Sequence, residues 1–458
     1  MNPDIFREYD IRGIAARDLD PSTVTGLGRA YGSVIAEAGG TAVAVGMDVR
    51  ETSPRLRGDL EAGILAAGVD VVRLGLVPTP LAYYAVHRYR LDGCVQITGS
   101  HNPVAYNGFK MMAGKGSVYG EAIQELRGRI ETGRFASGEG SVTDRDPTGE
   151  YLDDLCGRLS LDRPLRVVID AGNGCASEIG PALFRRLGCE VEEVFCTYDG
   201  TFPNHIPDPT LPETLGTLRE RVAAAGSDLG LAFDGDADRL GALDETGAVL
   251  WGDQLLALFA REVLAENPGA EILFDVKCSK ALIDDIEAHG GTPVMTPTGH
   301  SLIKAAMQRT GAPLAGEMSG HLFFADAWYG FDDALYAAAR LARLVAASGG
   351  TLSAMAADLP RYHATPEIRI DCPDDRKFAV VGDVLERYRP THPLNDVDGA
   401  RIEFDGGWGL VRASNTQPVL VLRAEGDTPD RRDAIEADLR GALVRAGVIG
   451  AGPGTPDR

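Results

Sequence analysis

Hydrophobic and polar positions recur along this chain in the same order three times. Each time, an apolar run rich in β-branched residues is followed by a short polar loop, a helical pattern, a glycine and a second apolar run. The three copies begin at TAVAVGMD, LRVVIDAGNG and AEILFDVKCS. Because strand patterns that alternate with helical patterns are typical of α/β domains, this order predicts three related α/β domains rather than one large one.

The remainder of the chain, from about Pro366, has a different order of strand, helix, strands and helix. EIRIDC, RIEFDGG, WGLVRAS and PVLVLRAE predict strands, and the last helix begins with Thr428 as its N-cap and Pro429 at its first position. This order favours an antiparallel sheet covered by helices. We therefore expect four domains, at residues 1–150, 151–250, 251–363 and 364–458.

Composition narrows the class of protein. The chain has 458 residues, of which 44% are hydrophobic and 24% are charged, as in ordinary soluble globular proteins. Its 45 basic and 67 acidic residues give a formal charge of −22, which argues against a surface that binds nucleic acid or an anionic membrane. Any anionic ligand therefore needs a local basic pocket.

Two further features favour a cytoplasmic location. No apolar run approaches the roughly 20 residues that a membrane helix needs, and the start MNPDIFREYD lacks the basic and apolar regions of a secretory signal. The seven cysteines are scattered and form no C-x-x-C pair, which is typical of reduced core residues. We therefore expect a cytoplasmic protein without disulfides.

The stretch ITGSHNP is the first candidate site. The preceding run LDGCVQI predicts a buried strand, Gly99 permits a tight turn, and Pro103 has no N–H group with which to continue a strand ladder. The pattern therefore places Ser100 and His101 at the end of a strand.

A second loop, FDGDADR, carries Asp234, Asp236 and Asp238 after an apolar strand. Three carboxylates this close repel one another unless a cation lies between them, and oxygen ligands alone favour Mg²⁺. A calcium loop would need helices on both sides, whereas these flanks predict strands. A phosphatase that uses Asp234 as a covalent nucleophile would also follow an apolar strand, and this alternative stays open.

Two polar loops complete the set. GEMSGH offers side chains that can hydrogen-bond a polyhydroxylated ligand, namely Glu317, Ser319 and His321. VRASNTQP, between two predicted strands of the last domain, offers donors that can grip a phosphate, namely Arg412, Ser414, Asn415 and Thr416. Each of the four predicted domains thus carries one candidate site loop.

Together these motifs resemble a known family. FREYDIRG, ITGSHNP, FDGDADR, GEMSGH and VRASNTQP occur in the order found in the α-D-phosphohexomutases, and the chain is most similar to the bacterial phosphomannomutase/phosphoglucomutase branch. The resemblance implies an α/β fold of three related α/β domains with mixed sheets, plus a C-terminal α+β domain with an antiparallel sheet. It also implies that the four domains surround a central cleft.

In that family the serine of the first loop carries a phosphoryl group. The resemblance therefore implies that Ser100 is a phosphoserine, the donor and acceptor of phosphate, and that Ser100 binds Mg²⁺ together with Asp234, Asp236 and Asp238. It implies a phosphohexomutase that interconverts the 1- and 6-phosphates of mannose and/or glucose through a hexose 1,6-bisphosphate, with glucose 1,6-bisphosphate as activator. The expected partners are these small hexose phosphates.

Other residues receive roles by the same resemblance. The groups expected near the reacting phosphate, and counted as catalytic, are Arg12, Lys110, Arg239 and His101. The groups expected to bind the substrate are Tyr9, Lys277 and His300, then Glu317, Ser319 and His321 in the sugar loop, and Arg412, Ser414, Asn415 and Thr416 around the phosphate that does not react. The general acid and base stays unranked among His101, His300, His321 and Lys110.

The substrate itself is a finer question. Met318 within GEMSGH favours the mannose/glucose branch, because phosphoglucosamine mutases usually carry glutamine at this position. A phosphoglucosamine mutase and a Mg²⁺-dependent sugar-phosphate phosphatase with an aspartate nucleophile are the alternatives. A hinge near residues 362–366 is expected to let the last domain move while the intermediate turns.

Overall fold

The apolar runs of the sequence form the central strands of four separate β-sheets in a computed structural model, which describes residues 1–415 and 417–449. Three of the sheets are mixed and the fourth is antiparallel throughout. The predicted fold class, three related α/β domains followed by one α+β domain, is therefore confirmed.

The first sheet has the strand order β1-β5-β4-β2-β3-β7, with β6 paired to β5. Strands β2, β3 and β4 are parallel, whereas β5 runs antiparallel to β4 and β1. After a 3-10 turn at Pro3–Ile5, the elements are β1 (Ile11–Ile14), α1 (Pro21–Glu37), β2 (Ala42–Met47), α2 (Ser53–Ala66), β3 (Asp70–Leu76), α3 (Thr79–Tyr89), β4 (Gly93–Ile97), β5 (Tyr106–Ala113), β6 (Gly116–Ser117), α4 (Glu121–Thr132) and β7 (Val142–Asp144).

The second and third sheets follow in chain order. The second, β12-β11-β10-β8-β9, is built from α5 (Thr148–Arg158), β8 (Arg166–Asp170), α6 (Ala176–Arg186), β9 (Glu190–Val194), α7 (Gly216–Ala225), β10 (Leu229–Phe233), β11 (Leu240–Leu243) and β12 (Val249–Leu250). The third, β14-β13-β15-β16, is built from α8 (Gly252–Glu266), β13 (Glu271–Asp275), α9 (Lys280–Ala288), β14 (Thr292–Thr296), α10 (His300–Thr310), β15 (Leu314–Gly316), β16 (Leu322–Phe324), α11 (Ala334–Ser348) and α12 (Leu352–Ala356).

A common four-stranded unit explains the threefold pattern of the sequence. It consists of β3-β2-β4-β5 in the first sheet, β9-β8-β10-β11 in the second and β14-β13-β15-β16 in the third. In each unit the first three strands are parallel and the fourth is antiparallel to the third. The loop between the third and fourth strands therefore lies at the same place in each unit, and these loops are residues 98–105, 234–239 and 317–321.

The fourth sheet, β17-β22-β21-β20-β19 with β18 paired to β22, has only antiparallel neighbours. Its elements are β17 (His363–Ala364), β18 (Ile368–Asp371), α13 (Asp374–Tyr388), β19 (Leu394–Asn395), β20 (Ala400–Phe404), β21 (Gly407–Ala413), β22 (Val419–Gly426) and α14 (Pro429–Arg445). As the sequence predicted, Thr428 caps α14, because its hydroxyl accepts a hydrogen bond from the backbone N–H of Arg431 at 3.2 Å.

One hydrophobic core runs through the first three units, whereas the fourth sheet has a core of its own. Helix α3 of the first unit packs its buried face against aromatic side chains of α5 and of the segment before α11, and the rings of Tyr84 and Trp328 are stacked. The predicted boundaries after residues 150 and 363 fall inside α5 and β17, and these boundaries stay predictions. No helix among the described residues has the length and apolar content to cross a membrane.

Candidate active site

Ser100 lies at the end of β4, on the floor of a cleft. All five residues of β4 are buried, so the strand that leads into this loop is anchored in the core. Ser100 is 3% exposed and has a positive φ of 47°, which is uncommon for a residue with a side chain. Its Oγ donates to Oδ2 of Asp234 at 2.8 Å and lies 3.0 Å from Nδ1 of His101.

The three aspartates of FDGDADR lie behind this serine, fully buried. The loop approaches the serine loop closely, since a Cβ added at Gly235 would lie 2.4 Å from the carbonyl oxygen of Ser100. One ligand oxygen from each of Asp234, Asp236 and Asp238 lies within 4.8 Å of the others. The carboxylates therefore form a cluster instead of pointing to solvent separately.

The charge of this cluster is only partly balanced by protein. Lys110 Nζ lies 2.7 Å from Asp236 Oδ2 and 2.5 Å from Asp238 Oδ2. Burial and the neighbouring carboxylates raise the pKa of Asp234 well above its usual range. Burial would also raise the pKa of Asp236, but Lys110 outweighs it and lowers that pKa. One lysine facing three carboxylates therefore leaves the cluster short of positive charge.

Two orphaned oxygens show where a cation fits. Among the described residues, Oδ1 of Asp236 and Oδ1 of Asp238 are buried and have no hydrogen-bond partner. Buried carboxylate oxygens are ordinarily paired, so their lone pairs are available to a metal. The donor set consists of oxygen atoms only, which suits Mg²⁺.

Basic groups converge on the same place. Arg12 on β1 is held by Asp10 at 2.5 Å, and Nε of Arg239 donates to Nε2 of His321 at 2.9 Å. That contact makes Nε2 of His321 an acceptor and puts the ring proton on Nδ1. Partial burial and the nearby cations, chiefly Arg239, lower the pKa of His101 well below its usual value.

The loop at residues 317–321 is held in place by hydrogen bonds of Glu317. Glu317, which is buried, accepts from the backbone N–H of Gly299 at 2.8 Å and from the hydroxyl of Ser319 at 2.8 Å. Lys277 Nζ lies 3.6 Å from both Asp275 and Glu367. The loop therefore presents a fixed set of oxygen and nitrogen atoms to the cleft.

Residues at the end of β21 border the cleft on the side of the fourth sheet. Nε and Nη2 of Arg412 both lie 3.0 Å from Oδ2 of Asp398, a partner that sequence reasoning missed. Burial lowers the pKa of Arg412, but Asp398, Tyr9 and Asp275 together outweigh it, so the net shift is upward. Asn415 donates to the hydroxyl of Tyr9, which joins the first and fourth sheets. Thr416 lies outside the described residues.

The structure brings the predicted site residues together around one cleft of about 1170 Å³. The lining includes Tyr9, Arg12, Ser100, His101, Lys110, Arg239, Lys277, His300, Glu317, Ser319, His321, Arg412, Ser414 and Asn415. The three aspartates do not line the cleft. They lie beneath it, and Ser100 lies between Asp234 and the cleft. Each of the four sheets therefore supplies one wall, and the roles assigned to these residues stay predictions.

Sequence reasoning also missed Asp332, a fully buried carboxylate behind the two cleft histidines. Its Oδ2 lies 3.2 Å from Nδ1 of His321 and 3.5 Å from Nδ1 of His300, and its Oδ1 accepts from Lys304 at 2.8 Å. Burial opposes ionisation, but Lys304, His321 and His300 together outweigh it and lower the pKa of Asp332 well below its usual range. The stretch GFDDAL has no motif that signals this role.

The spacing of Asp238, His321 and Asp332 would also suit a metal. Lys110 and Lys304 already contact the two carboxylates of this group. Lys110 contacts the aspartate triad as well, but this second group has two lysines for two carboxylates, whereas the triad has one lysine for three. The aspartate triad is therefore the better candidate for a metal centre.

Comparison with known proteins agrees with this geometry. Models of the phosphoglucomutase/phosphomannomutase alpha/beta/alpha domains I, II and III match residues 3–137, 149–247 and 251–362. The model of the phosphoglucomutase/phosphomannomutase C-terminal domain matches residues 367–442. Together they span nearly the whole chain.

Individual relatives are similar over their full lengths. The chain is 46% identical to a phosphomannomutase/phosphoglucomutase of Pseudomonas aeruginosa, over 96% of this chain and 95% of that protein. It is 44% identical to a phosphoglucomutase of Neisseria meningitidis, over 96% of both chains. A crystal structure of a phosphoglucomutase/phosphomannomutase family protein from Burkholderia thailandensis has a TM-score of 0.93 and 43% identity, covering 100% of this chain and 99% of that one.

Fold, cleft and relatives together define an enzyme that transfers phosphate as a mutase. The chain belongs to the phosphoglucomutase/phosphomannomutase family, which confirms the resemblance seen in its motifs.

Proposed function

We propose that the protein interconverts the 1-phosphate and the 6-phosphate of a hexose, mannose and/or glucose, and that Ser100 carries the phosphoryl group. The observation that supports this most directly is the contact of 2.8 Å between Ser100 Oγ and Asp234 at the floor of the cleft. It places one hydroxyl between an open cleft and a buried anionic cluster. A serine in that position can hold a phosphoryl group against a cation on one side and a sugar on the other.

The first half-reaction transfers the group from protein to sugar. The bond between phosphorus and Oγ of phosphorylated Ser100 breaks, and the free hydroxyl oxygen of the hexose phosphate forms a new bond to phosphorus. The hydroxyl proton passes to a base on the cleft wall, for which His101, His300 and His321 are the candidates. Oγ takes up a proton from an acid, for which the same histidines and Lys110, whose raised pKa keeps it charged, are the candidates. The product is a hexose 1,6-bisphosphate and an unmodified serine.

The second half-reaction runs in reverse from the other end of the sugar. After the bisphosphate has turned in the cleft, its second phosphoryl group moves to Ser100 Oγ, and the isomeric monophosphate leaves. The cycle consumes no phosphate, so added glucose 1,6-bisphosphate acts as an activator that loads Ser100. The cleft volume of about 1170 Å³ exceeds the range of roughly 300–1,000 Å³ of ordinary ligand sites, which leaves room for this turn.

The carboxylates of Asp234, Asp236 and Asp238 would hold Mg²⁺. Their donor chemistry fits this ion, and the orphaned oxygens of Asp236 and Asp238 are the atoms available to it. When bound, Mg²⁺ supplies charge neutralisation for the phosphoryl oxygens during transfer. Lys110 supplies positive charge to the same cluster from the protein.

Two further loops would hold the ends of the substrate. The sugar hydroxyls would be bound by Glu317 and Ser319, whose side chains are already fixed by hydrogen bonds. Whichever phosphate does not react would be bound by Arg412, Ser414, Asn415 and Thr416. Because both ends of the substrate carry phosphate during the cycle, one such clamp serves both orientations.

The phosphatase alternative receives less support from the geometry. An aspartate nucleophile has to reach the substrate phosphate, yet Asp234 is fully buried and does not line the cleft. Ser100 lies between Asp234 and the cleft. A phosphate that enters the cleft therefore meets the serine first.

Phosphorus NMR tests the proposed function. Mannose 1-phosphate, and separately glucose 1-phosphate, are incubated with the protein, Mg²⁺ and a trace of glucose 1,6-bisphosphate. We expect the 6-phosphate to appear without free phosphate, and Ser100→Ala to abolish nearly all turnover. Ser227→Ala is the matched control, because Ser227 is buried in the second unit and its hydroxyl has no partner among the described residues.

Three other outcomes would count against the proposal. Free phosphate released by the Ser100→Ala protein would favour the aspartate phosphatase. Conversion of glucosamine 6-phosphate alone would identify a phosphoglucosamine mutase. Full turnover in the Ser100→Ala protein would remove Ser100 as the carrier.

A further inference from the structure

Arg50 lies on the buried side of the serine loop and holds four of its carbonyl groups. Nη2 donates to the carbonyl oxygens of Ser100 at 2.9 Å and Asn102 at 2.6 Å. Nη1 donates to those of Pro103 at 2.8 Å and Tyr106 at 3.1 Å. One guanidinium group thus fixes the backbone of residues 100–106 from behind.

A buried carboxylate orients this guanidinium. Nε of Arg50 lies 3.2 Å from Oδ2 of Asp48, and the same oxygen accepts the backbone N–H of Gly99 at 2.9 Å. Asp48 Oδ1 in turn accepts the hydroxyl of Ser53 at 2.5 Å. Asp48 and Arg50 together therefore hold the loop on both sides of Ser100, by one N–H group before it and by four carbonyl groups from Ser100 onward.

The side chains of Asp48 and Arg50 lie outside the cleft. Arg50 is 2% exposed, and it is not among the described residues that line the cleft. Its outer side is covered by Phe202 of the second unit, whose ring centre lies 5.0 Å from the guanidinium carbon. Arg50 therefore cannot contact a phosphate in the cleft, and its contacts reach the cleft through the loop that carries Ser100.

The backbone of Ser100 needs such support. A φ of 47° is unfavourable for a residue with a Cβ and persists only where the surroundings enforce it. The four carbonyl oxygens turn toward Arg50 on the buried side, and therefore away from the cleft in which a phosphate would be repelled by them. The loop conformation and the direction of Ser100 Oγ are thus set by the same contacts.

We propose that Arg50 is a positioning residue for phosphoryl transfer, which fixes the loop so that Ser100 Oγ points into the cleft in line with the substrate phosphate. The proposal rests on the proposed role of Ser100 as the phosphoryl carrier. A lysine cannot replace this arginine, because one ammonium group lacks the planar fork that reaches four acceptors from a single buried point.

The first test measures how fast Ser100 is loaded. Glucose 1,6-bisphosphate is mixed with dephosphorylated, Mg²⁺-containing protein, and the gain of one phosphoryl group at Ser100 is followed by rapid quench and mass spectrometry. In this step a phosphorus–oxygen bond to the sugar breaks, a bond from phosphorus to Oγ forms, and the serine proton ends on the sugar oxygen. We expect Arg50→Lys to slow loading and to lower kcat by about 10²-fold, as a misplacement near 1 Å can do, with little change in KM.

A second variant displaces the guanidinium group of Arg50 without removing it. A Cβ added at Gly99 would lie 2.3 Å from Nε and 2.4 Å from Cζ of Arg50, so Gly99→Ala has to push the guanidinium away. The backbone N–H that bonds Asp48 is kept. We expect Gly99→Ala to fold and to reproduce the loss of loading rate and kcat, and its result decides the question if Arg50→Lys does not fold.

Arg340→Lys is the matched control. Arg340 is likewise buried, at 3% exposed, and bonds two carboxylates, Asp326 and Glu262, but it lies on α11 away from the serine loop. We expect it to lower the melting temperature and to leave the loading rate unchanged. The inference is overturned if folded Arg50→Lys or Gly99→Ala is loaded at the wild-type rate, or if Arg340→Lys slows loading as much.

The wild-type protein separates this inference from the role of Ser100. If the wild-type protein gains no phosphoryl group at Ser100, the carrier role fails, and the positioning role fails with it. If the wild-type protein is loaded and the two loop variants are loaded equally fast, the carrier role stands and only the positioning role of Arg50 fails.

Discussion

Oγ of Ser100 lies 2.8 Å from Oδ2 of Asp234, although the two residues are 134 positions apart in the chain. Ser100 belongs to the loop between the third and fourth strands of the first unit, and Asp234 begins the equivalent loop of the second. The contact therefore depends on how the two units pack, as well as on the conformation of each loop.

Magnesium is expected to stabilise the folded protein through the aspartate triad. A ligand that binds only the native state at a concentration of 100 times its Kd adds about 2.7 kcal/mol of stability. We therefore expect the melting temperature to rise on titration with Mg²⁺ and to fall again with a chelator. Asp236→Asn should lose this rise, because it removes a ligand with an orphaned oxygen.

Asp170→Asn is the control for the magnesium titration. Asp170 is a buried aspartate on β8 of the same sheet, 3.2 Å from His205 and outside the triad. Its variant should keep the full response to Mg²⁺. A response of the same size in Asp236→Asn and Asp170→Asn would show that Mg²⁺ binds elsewhere.

Lys110 should matter most when the metal is absent. Burial lowers the pKa of a lysine, yet Asp236 and Asp238 outweigh it and raise that of Lys110, so the ammonium stays charged. Breaking a buried ion pair by removing one partner costs about 3–5 kcal/mol. We expect Lys110→Met to lower the melting temperature strongly in chelator and to recover in part with Mg²⁺, as measured by differential scanning calorimetry.

Lys304→Met separates this effect from the general loss of a buried lysine. Lys304 is equally buried and pairs with Asp332, which is not part of the triad. Its variant should also melt earlier, but added Mg²⁺ should restore it no more than it stabilises the wild type. An equal recovery of both variants would contradict the assignment of Lys110 to the metal cluster.

Asp333 should make the stability depend on pH. Burial raises its pKa to about 6, even though it accepts hydrogen bonds from Tyr151, Trp328 and the N–H of Tyr336. Since the folded-state pKa lies above the unfolded value, its favourable contribution is present in acid and is lost as pH rises through 6. A shift of about two units corresponds to about 3 kcal/mol.

Asp333→Asn isolates this contribution, because asparagine is neutral at every pH and its side-chain oxygen can still accept. The stability of the wild type relative to the variant should fall by about 3 kcal/mol between pH 4 and 7. Thermal unfolding of both proteins across this range measures the difference. A difference that is constant with pH would show that Asp333 does not titrate there.

Arg412→Ala should weaken the binding of hexose phosphates. Losing one partner of a buried charge-paired contact costs about 2–5 kcal/mol, and here Asp398 would be left beside the phosphate without its cation. Calorimetric titration with glucose 6-phosphate measures the change in Kd. Arg431→Ala, on α14 of the same domain and bonded to Asp405, should leave the Kd unchanged, and an equal loss there would argue against a local role.

Sequence patterns predicted the parts of this fold that neighbouring residues determine. The periodicity of apolar residues indicated the strands, and Thr428 with Pro429 indicated the start of α14. The threefold order of elements indicated the repeated unit. The positions of the domain boundaries depend less on neighbouring residues. α5 and β17 each continue across a predicted boundary as a single element.

The candidate site also has some residues that a local motif reveals and others that only the three-dimensional structure reveals. Ser100 and the three aspartates were visible because each stands in a short motif at the end of a strand. Asp332, Asp398 and Arg50 were not assigned, because their contacts cross from one loop or unit to another and depend on distances in space. A buried arginine within GMDVRETSP has no spacing that tells it from a surface one.

The repeated four-stranded unit has a consequence for how such a site can arise. If one ancestral segment was copied twice, all three copies inherited a loop at the same edge of the sheet, and each loop was then free to change its sequence, to ITGSHNP, FDGDADR and GEMSGH. The cleft is lined by residues of all three copies and of the fourth sheet. Activity therefore depends on how the units pack against one another. Natural selection acts on the contacts between the copies as directly as on the loops themselves.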